Sequence, residues 1–179
     1  LTGNITGGKS DYSYVGGLVG YGGSVSIKYC FSNTNITSEH DTVGGITGTG
    51  GNIEYCYNFG TIKAGNSYGG ISSRANFIKN SYNYGKINGG EHFIGGIASY
   101  GTIENSYNLG EVTGNSDNSY GIGGIVGSTQ ASIKNSYNKG IISGTSDSQI
   151  GGIVGNYYEI NDNGIENNYY LKGTAKGGL

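Results

Sequence analysis

Side chains able to do acid–base chemistry are scarce in this 179-residue chain, and the best of them fall in two short runs. Glu39, His40 and Asp41 are consecutive, and Glu91 is followed by His92. A carboxylate beside an imidazole is a minimal acid–base pair, and two carboxylates roughly 5 to 9 Å apart are what glycoside cleavage needs. No nucleophile with an adjacent base accompanies them, and no His-Glu-x-x-His or similar metal-ligand spacing occurs. The two runs sit in the same loop region two repeats apart. They therefore read as a loop-borne binding cluster, with no catalytic residue, metal or cofactor expected. Tyr120 joins the set as one of several tyrosines outside the main aromatic column, together with Tyr14, Tyr21, Tyr68, Tyr100, Tyr157 and Tyr158, whose rings are of the kind that stack on sugars.

Cys30 and Cys56 occupy equivalent positions in adjacent repeats. Stacked strands put equivalent Cα atoms about 4.8 Å apart, inside the disulfide window, and closing the intervening loop would stabilise by roughly 3 to 4 kcal/mol. In-register Cβ atoms are also about 4.8 Å apart, longer than the ~3.8 Å of a bridge, which favours packed, reduced thiols. Both readings stay open on spacing alone. Without a matching histidine pair the two cysteines make no zinc site.

The elements that must position these residues are repeats. A glycine pair recurs at Gly16-Gly17, Gly44-Gly45, Gly69-Gly70, Gly95-Gly96, Gly123-Gly124 and Gly151-Gly152, at spacings of 28, 25, 26, 28 and 28. A large residue precedes each pair and an aliphatic one follows it. Seven to thirteen residues on comes a second block, cleanest over residues 103–112 and 133–142, that reads Ile-x-Asn-Ser-Tyr-Asn-x-Gly-x-Ile/Val. No window carries apolar residues at helical spacing, and glycine is too frequent for a helix to propagate. A unit of 25–28 residues with three short strands cannot bury its apolar side alone, so identical units must stack. The expected fold is all-β: a right-handed parallel β-helix, or solenoid, of about six coils over residues 1–179. Residues 156–179 depart most from the repeat and are expected to be an irregular cap or junction.

Stacking in register predicts ladders of like residues. Lys28, Glu54, Lys79, Glu104, Lys134 and Glu166 alternate in sign along one column, as neighbouring strands require. Tyr29 and Tyr55 are followed in the next column by Asn80, Asn105, Asn135 and Asn167, and the one after runs Cys30, Cys56, Ser81, Ser106, Ser136 and Asn168. Strict alternation from an inward isoleucine then places the column Phe31, Tyr57, Tyr82, Tyr107, Tyr137 and Tyr169 inside. Asn58, Asn83, Asn108 and Asn138 follow, with carboxamides able to bond along the stack.

Gly-Gly-Leu/Ile-Val-Gly followed by Ile-x-Asn-Cys/Ser-Tyr-x-x-Gly resembles the GLUG-motif repeats of bacterial secreted and cell-surface proteins, among them adhesin-like proteins and non-catalytic parts of immunoglobulin A-cleaving metallopeptidases. The resemblance spans essentially the whole chain. It implies an extracellular location and an adhesive or spacer role, and carries over no peptidase chemistry. Ile71-Ser72-Ser73 and Ile97-Ala98-Ser99 depart from the pattern by lacking the glycine after the aliphatic pair, so a different turn is expected there.

Composition narrows the partners. Charged residues make up 12% of the chain and the net charge is −2, with no basic stripe for phosphate neutralisation, so nucleic acid is not expected. No run approaches the roughly 18 apolar residues of a membrane span. Residues 3–7 match the second half of a repeat, as in a piece of a longer protein. The expected partners are extracellular glycans or proteins and the parent's flanking domains. The alternatives are a fragment of a carbohydrate-active enzyme using loop carboxylates, and an inert stalk.

Overall fold

A computed structural model describes residues 2–8, 13–39, 42–115, 120–129, 132–145, 148–157 and 164–175. Every described pairing between strands is parallel, and each joins one repeat to the next. Three sheets of 11, 6 and 10 strands result, stacked as a solenoid of about five turns. The six glycine-pair rungs bound those turns, so a count of rungs runs one higher than a count of turns. The rungs are Tyr14–Gly16, Thr42–Gly44, Tyr68–Gly69, Phe93–Gly95, Gly121–Gly123 and Ile150–Gly151.

Each coil turns sharply at one residue with a left-handed backbone. These are Tyr29, Tyr55, Asn80, Asn105, Asn135 and Asn167, all at φ between 49° and 55°. Asparagine tolerates that conformation better than most residues. In the first two coils, where tyrosine takes it, the Tyr29 and Tyr55 rings stack at 5.0 Å and 7°. The bend resets the in–out alternation, which overturns the expectation for the aromatic column. Phe31 and Tyr169 are exposed, and Tyr57, Tyr82, Tyr107 and Tyr137 are half-buried on the outer surface. The residues on either side of that column point inward instead: Cys56, Ser81, Ser106 and Ser136 before it, and Asn58, Asn83, Asn108 and Asn138 after it.

The interior holds two apolar clusters. One gathers Ile46, Ile71, Ile97 and Ile125 with Ile53, Ile78, Ile103 and Ile133. The other gathers Val43, Tyr68, Ile94 and Ile122 with Ile62, Ile87, Val112 and Ile142. Between them runs a polar seam in which the second glycine of each pair faces the buried asparagine of the same coil: Gly45 with Asn58, Gly70 with Asn83, Gly96 with Asn108 and Gly124 with Asn138. Ser32 takes this place opposite Gly17, and Tyr170 opposite Gly152.

Burying carboxamides is costly unless every group is bonded, and here they are. Asn58 Nδ2 donates to Asn83 Oδ1 at 2.8 Å, Asn83 to Asn108 at 2.8 Å and Asn108 to Asn138 at 2.9 Å. Each also donates to the carbonyl of the glycine two residues on and accepts that glycine's N–H. The hydroxyls of Ser81, Ser106 and Ser136 each donate to the carbonyl two residues back and accept an amide N–H from the preceding coil.

The charge column is in register throughout. Lys28–Glu54, Lys79–Glu104 and Lys134–Glu166 close to 2.7, 3.0 and 3.1 Å. Lys86–Glu111, at 3.1 Å, extends the same device to a second column. These pairs are largely solvent-exposed, where screening leaves an ion pair little net stability, so they fix register more than they stabilise.

The two departures at Ser73 and Ser99 do not alter the turn. The N–H groups of Ile71 and Ser72 both bond the Ile97 carbonyl, as those of Leu18 and Val19 bond that of Ile46. Ser73 and Ser99 are buried and bonded to each other at 3.3 Å.

Within residues 156–179, stretches 158–163 and 176–179 lie outside the described residues. Ile165–Glu166 and Tyr169–Tyr170 continue the ladders. The chain then folds back so that Ile142 N–H donates to the Thr174 carbonyl at 2.7 Å, and Ala175 packs against the second apolar cluster.

Candidate functional site

The glycine pair folds the chain back on itself, so the residue two before it meets the residue four after it on the surface. Tyr14 and Tyr21 meet in this way at 5.6 Å and 45°, and Phe93 and Tyr100 at 5.1 Å and 71°. Around the second of these contacts the surface is concave. Ser67, Arg74, His92, Phe93, Tyr100 and Tyr120 line a cleft of about 370 Å³, within the ~300–1,000 Å³ range of small-ligand sites.

Local strand structure aims these side chains. Gly70 is followed after only eight residues by Ile78, and Gly96 after seven by Ile103, shorter than in the first and last coils. The strand runs straight through the corner as Ser72–Lys79 and Ala98–Glu104. In the coil before them, where Ile53 also follows Gly45 by eight residues, Gly50 and Gly51 at φ 76° and 89° break the strand instead. Between the two long strands the register shifts after Arg74, an irregularity of the kind that re-aims side chains. The Arg74 guanidinium lies 4.6 Å above the Tyr100 ring centroid. His92 and Tyr120 stack at 5.7 Å and 5°, and Phe93 is tilted 39° to Tyr120. The rings thus stand at several angles around an open concavity.

The tyrosine ladder on the outer face is arranged differently. Tyr57, Tyr82, Tyr107 and Tyr137 stack with centroids 3.7, 4.6 and 4.8 Å apart, so both faces of Tyr82 and Tyr107, and one face each of Tyr57 and Tyr137, are covered by neighbouring rings. Burial within the stack pushes the Tyr82 phenol up to about 12, and raises those of Tyr107 and Tyr137. All three stay protonated and non-nucleophilic near neutral pH. Exposed rings also stand outside the cleft, at Tyr21, Tyr29, Phe31 and Tyr169, and a second cleft of about 380 Å³ is lined by Tyr137, Tyr169 and Tyr170 at the end of the ladder. The cleft around Arg74 differs in bringing together residues that break the repeat.

Of the residues that sequence singled out, His92 and Tyr120 are brought together in the cleft. Glu91 is exposed beside it, with its N–H donating to the Gly65 carbonyl at 2.8 Å. Glu39 is exposed, and no hydrogen bond or ion pair joins it to Glu91 or His92 among the described residues. His40 and Asp41 lie outside the described residues. Tyr68 is fully buried and unavailable to a sugar. Arg74 is a site residue that sequence reasoning missed, although it is the chain's single arginine and lies where the neighbouring coils place Thr49 and Tyr100.

Cys30 and Cys56 are free thiols. Cys30 Sγ donates to the Lys28 carbonyl at 3.1 Å and Cys56 Sγ to that of Glu54 at 3.3 Å, the bonds that serine hydroxyls make in later coils. Burial pushes the Cys56 thiol up to about 11, which leaves it protonated and unreactive at neutral pH.

The chain carries the GLUG motif: residues 118–143 match that family's model. The matched range takes in the Gly123-Gly124 pair and the Asn138 rung, and the three preceding coils repeat that Gly–Asn seam in register. No curated protein and no solved structure matches the chain.

Proposed function

We propose that this chain is a non-catalytic, adhesive repeat module of a bacterial surface or secreted protein, and that its solenoid holds the aromatic cleft against extracellular glycans or proteins. The observation carrying this reading is the contrast between scaffold and cleft. Ladder positions repeat from coil to coil, whereas Arg74, His92, Phe93, Tyr100 and Tyr120 break the repeat and converge on one concavity. The loop carboxylates Glu39 and Glu91 are exposed and are not joined to each other by any hydrogen bond or ion pair among the described residues, and the carboxylates of the ladders serve register. Glu54, Glu104, Glu111 and Glu166 are each ion-paired to a lysine of a neighbouring coil.

The test is binding of the intact chain to a panel of glycans and extracellular-matrix proteins, beside a variant carrying Phe93→Ser and Tyr120→Ser. Selective binding lost in the variant is the expected result. A clean negative across the panel would leave a rigid spacer as the better description, and turnover of any glycan would overturn the non-catalytic reading.

A further inference from the structure

Accepting that the cleft binds extracellular ligands, we propose that its ligand is a carboxylated sugar of an acidic glycan, with the carboxylate held by Arg74 and the sugar ring against Phe93 and Tyr120. Arg74 is the chain's single arginine, and among the described residues no carboxylate pairs with it. Its guanidinium rests on Tyr100. A guanidinium held over a ring keeps its N–H donors, and those of Arg74 make no hydrogen bond among the described residues. Unpaired among the described residues and held in this way, the guanidinium is preorganised for two parallel hydrogen bonds to a carboxylate.

The other walls specify the rest of the ligand. Tyr120 is half exposed and Phe93 stands tilted to it at 6.2 Å, so the rings offer apolar surface at different inclinations to the C–H groups of a puckered sugar. The Ser67 hydroxyl adds a small polar contact. No lysine and no second arginine lines the cleft among the described residues. A sulfated or phosphorylated ligand of higher charge would call for more cations than this. A single cation among several aromatic groups matches one carboxylate on a mostly uncharged ring.

The experiment titrates the intact chain with a uronic-acid oligosaccharide and with the same oligosaccharide after its carboxyls are reduced to alcohols. Chemical shifts of the Tyr100 and Tyr120 ring protons report on the cleft. The acid form is expected to bind, and reduction is expected to weaken it roughly 10- to 100-fold, the range of a charge-assisted contact. Arg74→Gln should lose the same factor and with it the distinction between the two ligands, while Arg74→Lys should keep part of it through its point charge. Because Arg74 is exposed, unchanged thermal unfolding of both variants separates lost binding from lost folding. Equal binding of the reduced oligosaccharide, or a preference that survives Arg74→Gln, overturns the assignment. Equal competition by an acidic peptide overturns it in favour of a protein ligand. Either result leaves the adhesive reading standing as long as the panel shows selective binding, whereas a panel that binds nothing removes both.

Discussion

The carboxamide of Asn108 lies against Gly96, in the space that any side chain at that glycine would need. The two halves of the repeat, twelve residues apart in the chain, thus meet inside one coil. The Gly124 carbonyl of the next coil borders the same space. Gly96→Ala should therefore cost about 3 kcal/mol or more by overpacking. Adding Asn108→Ala should not restore stability, because the backbone obstruction remains. Urea unfolding of the single and double variants checks this, and recovery in the double variant would place the obstruction in the side chain alone.

Tyr68 and Gly90 form the opposite case. A Cβ at Gly90 would meet only the phenol of Tyr68 among its nearest neighbours, at a backbone φ of +83°. Gly90→Ala should destabilise by about 3 kcal/mol, and Tyr68→Ile in the same chain should recover all but the roughly 1–2 kcal/mol of left-handed strain. The Tyr68 hydroxyl is buried with no hydrogen-bond partner among the described residues. Tyr68→Phe alone should then raise stability by roughly 1 kcal/mol. A loss on removing that hydroxyl would mean that it has a partner.

The asparagine seam carries its own prediction. Asn83→Ala removes four buried hydrogen bonds, two to other rungs and two to Gly85, and should cost about 4 kcal/mol. Asn76 makes an exposed carboxamide pair with Asn52 at 3.2 Å, and Asn76→Ala should stay within about 0.5 kcal/mol of the parent. Equal effects in denaturant melts would contradict the distinction between an inner and an outer ladder.

Much of the fold was legible because a solenoid turns sequence period directly into space. The alternation from Lys28 to Glu166 announced its own register, and the asparagines from Asn58 to Asn138 announced their bonding. What failed was the direction of the Phe31-to-Tyr169 column. In–out alternation assumes an extended chain, and a left-handed residue such as Asn80 or Asn105 reverses it without any break in the apolar pattern. The cleft was half legible. His92 and Tyr120 stood out by type, but Arg74 reaches them from another coil through a strand irregularity. In sequence that irregularity leaves only a faint trace, the short spacing from the Gly69-Gly70 pair to Ile78 with no glycine between them.

The buried thiol gives a pH dependence with a definite sign. The Cys56 thiol is raised from 9.0 to about 11 in the folded chain, so folding favours its protonated form. Its contribution is fully present below about pH 9 and is lost as the pH rises through about 11. Cys56→Ser keeps a donor for the Glu54 carbonyl and removes the titration. The parent should lose about 1 kcal/mol more than this variant between roughly pH 8 and pH 10. Parallel pH profiles of the two proteins would show that the thiol ionises as freely folded as unfolded.

One repeat is one coil, stacked in register on the next, and everything else about the molecule depends on that equivalence. Its most direct test is small-angle scattering of a chain lacking residues 96–123, which is one 28-residue period from Gly95 to Gly123, beside one lacking residues 96–109, about half a coil. The first should fold, unfold cooperatively and be shorter along the axis by about 4.8 Å, and the second should lose its cooperative transition. Two deletions that behave alike, or a one-period deletion that leaves the length unchanged, would contradict the account.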